Sequence, residues 1–167
     1  TNHDGTVSGS GTIGIQLVLD SRDDKIAPGN SPGIMSFSVG QTWQAFSYEW
    51  ETHDFTGTTA GMDFDQIFID GILDLTGGIG NYQLDLISLT ANNLPGNVPN
   101  FFEADRQWTI LTTSGGITGF DASGWTLNTG AFSTSPNHAG SFTLSADEDH
   151  IHLNYTAIPE PSSLVLS

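Results

Sequence analysis

Apolar and polar side chains alternate with a period of two along most of this 167-residue chain, few stretches keep a helical period, and the pattern predicts an all-β fold. Ile13, Ile15, Leu17 and Leu19 share one face of a first expected strand, with Gly14, Gln16 and Val18 on the other. Met35, Phe37 and Val39 mark a second, and Phe46, Tyr48 and Trp50 line a third opposite Ser47, Glu49 and Glu51. Ile67 with Ile69, Leu73 with Leu75, and Tyr82 with Leu84 and Leu86 follow as short runs, broken by Gly71 and by the glycines of residues 77–80. The phase slips at Leu86–Ile87, where Ile87 and Leu89 take the opposite parity, as a corner or a β-bulge would require. Thr90 to Asp105, with two prolines and four asparagines, is the longest expected loop. Trp108 to Leu111 resumes a strand, and Trp125 with Leu127 forms a brief pair. Ser141–Ser145 and His150–Thr156 alternate cleanly on either side of Ala146–Asp149, which predicts an antiparallel hairpin with a longer loop.

The length suits one domain with a real core, read here as residues 1–156, followed by a Pro/Ser-rich tail at 157–167. Three basic residues, Arg22, Lys25 and Arg106, stand against nineteen acidic ones, a formal net charge of −16. That balance argues against nucleic acid and anionic membranes, both of which require a basic surface. It leaves divalent cations and neutral polysaccharide as partners. Cysteine is absent, so stability rests on packing and hydrogen bonds. Low charge density with abundant Gly, Ser, Thr and Asn is a profile of secreted bacterial β-proteins, and any export leader is expected to have been removed before Thr1.

The tail reads Ala157-Ile158-Pro159-Glu160-Pro161-Ser162-Ser163 followed by Leu164, Val165 and Leu166. Two prolines around one glutamate fix φ twice and remove two donors, so a stiff extended strut is expected. This run resembles the PEP-CTERM sorting signal of Gram-negative bacteria. The resemblance implies Pro159, Glu160, Pro161, Ser162 and Ser163 as the sorting motif, processing by an exosortase-type membrane transpeptidase, and a place at the cell surface or outside the cell. Only the first part of that signal is present. The apolar run is three residues long, against roughly twenty needed to cross a bilayer. Leu164, Val165 and Leu166 have no obvious place in solvent and are the expected subunit contact, inserted by strand addition.

A second resemblance spans Ile26 to Phe120. Ile26–Gly33 (IAPGNSPG), Gly61–Leu75 (GMDFDQIFIDGILDL) and Trp108–Phe120 (WTILTTSGGITGF) resemble three successive blocks of autotransporter-associated β-strand repeat proteins. That family implies a short right-handed parallel β-helix-like solenoid, here ending in the antiparallel hairpin; a β-sandwich is the alternative. In the first block Pro28 and Pro32 restrict φ while Gly29 and Gly33 permit positive φ, which suits a tight corner.

Signals for chemistry are sparse. Aspartates cluster at Asp20, Asp23 and Asp24, at Asp63, Asp65 and Asp70, and at Asp147, Glu148 and Asp149. Calcium takes six to eight oxygen ligands, and Asp63, Asp65, Asp70, Asp147 and Asp149 are its candidates. No other cofactor is expected. His150 and His152 share a strand face and could form half of a zinc site with Asp149 beside them, but three ligands are needed and His3, His53 and His138 are scattered, so the pair is read as an exposed strand-edge pair. Glu49 and Glu51 also share a face, roughly 6.5–7 Å apart at Cα. Paired carboxylates at that scale can hydrolyse glycosides, and Trp43, Trp50 or Trp108 could stack on sugar rings if exposed. No G-x-S-x-G elbow or phosphate-binding glycine loop occurs. Asn154-Tyr155-Thr156 is read as a chance sequon. The expectation is therefore a non-enzymatic, self-associating structural or adhesive protein; a carbohydrate-binding or glycoside-cleaving module for exopolysaccharide is the alternative.

Overall fold

The computed structural model describes residues 5–29, 31–78 and 80–159. In chain order the strands are β1 (Thr6–Gly9), β2 (Gly11–Ile13), β3 (Asp20–Pro28), β4 (Ile34–Phe37) and β5 (Gln41–Thr42). They continue with β6 (Ala45–Thr52), β7 (Gln66–Ile69), β8 (Leu73–Asp74), β9 (Tyr82–Ser88), β10 (Arg106–Thr113) and β11 (Ile117–Thr118). A single 3-10 turn at Ala122–Gly124 precedes β12 (Trp125–Ala131), β13 (Ser141–Ala146) and β14 (His150–Thr156). The fold is all-β, with parallel and mixed sheets.

The strands form three sheets, ordered β1-β3-β6-β9-β12, β13-β14-β10-β7-β4-β2 and β11-β8-β5. The first and third are parallel throughout, as are the β2-β4-β7-β10 pairings of the second. The chain therefore visits the sheets in turn, β3-β4-β5, then β6-β7-β8, then β9-β10-β11. Each circuit lays one strand beside its predecessor in all three sheets. The hairpin breaks this order: β14 pairs antiparallel with β10 and β13 antiparallel with β14, occupying the place a further circuit would take in the second sheet.

Inward positions of the sheets supply the core. Trp43, Phe46, Trp50, Phe55, Leu84 and Leu153 have no exposed surface. Edge-on aromatic contacts run through it, Trp43 on Phe46 with ring centroids 4.8 Å apart and Trp50 on Trp108 at 5.5 Å. Buried polar tips cross between elements: Tyr48 Oη donates to the Ile110 carbonyl (3.0 Å) and Trp50 Nε1 to the Asp65 carbonyl (2.9 Å).

The phase slip expected near Ile87 has a counterpart on the neighbouring strand. β9 keeps its alternation through Ser88, while the register of β12 jumps from Asn128 opposite Asp85 to Ala131 opposite Ile87. A second irregularity lies at Ile110, between Thr109 opposite His152 and Leu111 opposite Ile151, and it lets Ile110 and Leu111 both face the core.

The first expected strand is corrected more substantially. Leu19 is buried, Ile13 and Leu17 pack on the core and Val18 faces outward as expected, but Ile15 is 65% exposed, β2 ends at Ile13, and the next strand begins only at Asp20. Residues 15–17 are held by a side chain rather than a ladder: Gln41 Nε2 donates to the Ile15 carbonyl, and Gln41 Oε1 accepts from Leu17 N. Within β3, Asp24 takes an inward position and is stabilised by accepting from the N–H groups of Asp20 and Ser21.

Glycines from successive circuits stack where the second sheet hands over to the third. A Cβ on Gly71, whose φ is +139°, would lie 2.6 Å from the backbone nitrogen of Gly40, and one on Gly115 would lie 2.7 Å from the carbonyl carbon of Gly71. Both neighbours are backbone and cannot swing aside. Gly71→Ala is expected to cost roughly 1–3 kcal/mol. It should cost more than Gly9→Ala, where φ is also positive but the space is open. Urea denaturation of the two variants checks the order.

Candidate functional site

The β13–β14 hairpin gathers three metal-ligand side chains at its tip. Asp147 N donates to the His150 carbonyl (3.0 Å), which closes the turn. The Asp147 carboxylate then folds back over the turn, and its Oδ1 accepts from Asp149 N (3.0 Å) and His150 N (2.9 Å). The same oxygen lies 2.9 Å from His150 Nδ1, and Oδ2 lies 3.2 Å from His152 Nε2. The two imidazoles, on one face of β14, stack with centroids 5.7 Å apart and planes 23° apart. These donations, led by the Asp149 N–H and then by the histidines, hold the Asp147 carboxyl well below the usual carboxylate range. Across the ladder, Thr109 on β10 faces His152, with Oγ1 3.1 Å from Nδ1.

Among the described residues, only Asp147, His150 and His152 bring three His, Asp or Glu ligand atoms within 4.8 Å of one another. The histidine pair was legible from alternation, but its carboxylate partner was not. Asp149 was expected beside the pair, and Asp147 holds that position. The turn places residue i beside i+3 and i+5, so an Asp-x-x-His-x-His spacing across a hairpin tip was the available signal. Asp149 instead uses its carbonyl to accept from Thr113 N (2.8 Å).

The structure sends the other aspartate candidates to separate tasks. Asp63 Oδ2 accepts from the N–H groups of Thr58 and Thr59 and closes that loop. Asp70 is exposed and accepts from Ser114 Oγ at 2.7 Å. Asp65 is buried, with one oxygen accepting from Gly33 N (2.7 Å) and the other from Glu51 N (3.0 Å). Burial outweighs these two donors and, with Glu51 and Glu49 nearby, pushes its carboxyl up to about 8.

Glu49 and Glu51 stand half-buried on the outer face of β6, opposite Asp85 and Ile87 of β9. Lys25 Nζ donates to Glu49 Oε2 at 2.9 Å, and that hydrogen bond raises the lysine pKa. Burial raises the Glu51 carboxyl. Trp43, Trp50 and Trp108 are at most 1% exposed, so none offers a ring face beside this pair. Both partners of the Lys25–Glu49 bridge are partly solvated, so Lys25→Met is expected to change stability by less than about 1 kcal/mol. Chemical denaturation in low and high salt measures it.

Pro159 is exposed at the end of the described chain. Just before it, Glu103 Oε1 and Asp105 Oδ1 accept from the N–H groups of Ile158 and Ala157, tying the base of the tail to the loop before β10. The same Glu103 oxygen accepts from Tyr155 Oη at 2.5 Å. Glu160, Pro161, Ser162, Ser163, Leu164, Val165 and Leu166 lie outside the described residues. No helix among the described residues is long and apolar enough to cross a membrane.

Fold and site together define an all-β protein of stacked parallel strands with a histidine-carboxylate cluster on its terminal hairpin. No family model, curated protein or solved structure matches the chain.

Proposed function

We propose that this chain is an exported, non-enzymatic structural or adhesive protein of the bacterial cell surface or extracellular matrix, which associates with copies of itself. In this reading its three sheets are the faces of a short parallel β-helix, right-handed as parallel crossovers almost always are, with the hairpin as a cap. The observation that carries it is the end of the stack. β1, β2 and β5 are edge strands of the three sheets, and the segment following β2 exposes Ile15 and Val18. Edge strands beside exposed apolar side chains are a template for strands of another chain. On the other side of the second sheet the edge strand β13 presents the exposed Ser141 and Thr143. The Pro-Glu-Pro tail supports delivery by an exosortase-type route.

The test is light scattering with size-exclusion chromatography, and electron microscopy, on the full chain. Oligomers or fibres that dissociate on Val18→Asp are expected. Monomers at every concentration would overturn the proposal.

A further inference from the structure

We propose that the hairpin tip is a binding site for a borderline divalent transition-metal ion of the zinc class, with Asp147, His150 and His152 as ligands and Thr109 as the group that orients His152. The donor set selects the ion. Two imidazole nitrogens and one carboxylate suit zinc, copper or nickel, whereas calcium takes oxygen ligands alone. The site is therefore distinct in chemistry from the calcium site that the aspartate clusters suggest.

The geometry is close to what such an ion needs. Ligand bonds of about 2.0–2.1 Å in a tetrahedral shell separate neighbouring ligand atoms by roughly 3.3 Å. His150 Nδ1 lies 2.9 Å and His152 Nε2 3.2 Å from the two oxygens of Asp147, and all three residues' ligand atoms fall within 4.8 Å. Coordination thus requires shifts of tenths of an ångström between carboxylate and rings, plus closer approach of the rings. The support is already built. Two backbone N–H groups fix the Asp147 carboxylate, and the β10 ladder fixes the backbone of His152.

Thr109 supplies what a ligating histidine ordinarily has, a partner on its other nitrogen. With Nε2 protonated and donating to Asp147, Nδ1 accepts from the threonine hydroxyl. When Nε2 gives its lone pair to a metal, the ring proton sits on Nδ1 and donates to the same Oγ1, 3.1 Å away. A hydroxyl serves either state without moving. Three protein ligands leave one position for water or a group from another molecule, and the 56% exposure of the Asp147 side chain leaves it accessible. The net charge of −16 attracts cations to the surface in general, so specificity must come from these residues.

Isothermal titration of the tag-free full chain with Zn2+, and the absorption spectrum of the Co2+ complex, test the site. One saturable equivalent is expected, with a tetrahedral or five-coordinate cobalt spectrum and a thermal midpoint that rises with metal concentration. His150→Gln and His152→Gln should each weaken binding by at least about tenfold, as should Thr109→Val on the orienting side. His150 is partly exposed, so its variant keeps the fold, as circular dichroism will verify. His53→Gln should change nothing. Absence of saturable binding, or binding that survives these substitutions as weak association with surface carboxylates, would overturn the assignment. The titration reads the hairpin alone, so its outcome is separate from whether the chain self-associates.

Discussion

Trp50→Ala is expected to destabilise the protein by about 3–5 kcal/mol, enough to threaten folding of a domain this size. Trp50 is wholly buried on β6, packs on Trp108 and on Phe64, and donates its indole N–H to the Asp65 carbonyl. Alanine leaves a cavity that neighbouring circuits cannot fill, because their strands are fixed by ladders on both sides, and it strands a buried carbonyl. Phe68, on the outward face of β7 and 36% exposed, is the comparison, and Phe68→Ala should cost far less. Urea denaturation measures both. The same pair separates packing from sugar recognition. A stacking tryptophan would lose glycan binding on truncation with little loss of stability, the reverse of the result expected here.

The second large effect is a dependence on pH. Stability is expected to fall by about 2 kcal/mol between pH 6 and pH 8, owing to Asp65 alone. Its carboxyl is raised to about 8 in the folded protein, against an ordinary value near 3.8. Between those values the folded state holds a proton that the unfolded chain has released. Raising the pH therefore favours unfolding, by about 1.4 kcal/mol per pH unit until the folded carboxyl itself ionises near pH 8. The penalty is absent below the ordinary carboxylate range and stops growing above the folded pKa. Asp65→Asn removes the titration, so its stability should be flatter from pH 6 to 8. Denaturation curves at pH 6, 7 and 8 for both proteins decide this; an unchanged slope in the variant would remove Asp65 as the cause.

Strands β6 and β9 were legible because their neighbours cover one face only. Alternating Phe46, Tyr48 and Trp50, or Tyr82, Leu84 and Leu86, reports that asymmetry directly. β3 was not, because Asp24 holds an inward position usually reserved for an apolar side chain and its cost is met by two local N–H donors. Conversely Ile15 and Leu17 alternate like a strand, but the Gln41 side chain takes the Ile15 carbonyl and the Leu17 N–H in place of a backbone ladder. The hairpin was legible in both strands and in its loop. Its chemistry was only half so. Strand periodicity pairs His150 with His152, but the approach of Asp147 depends on how the turn folds back, which periodicity does not encode.

The amino-acid sequence by itself determined the all-β class, most of the inward residues and the terminal hairpin, because each follows from the period-two alternation of a half-buried strand. It also determined the acidic, cysteine-free surface, which is composition alone. The tertiary structure decided which strands are neighbours and that most of them run parallel, since pairing joins residues distant along the chain. It likewise decided that Asp65 is buried and strongly perturbed while Asp63, two residues earlier, stays partly exposed and closes a loop, and that Asp147 rather than Asp149 meets the histidines. Those outcomes depend on the low dielectric and the hydrogen-bond donors brought by other circuits and by the turn, and no local pattern carries that information.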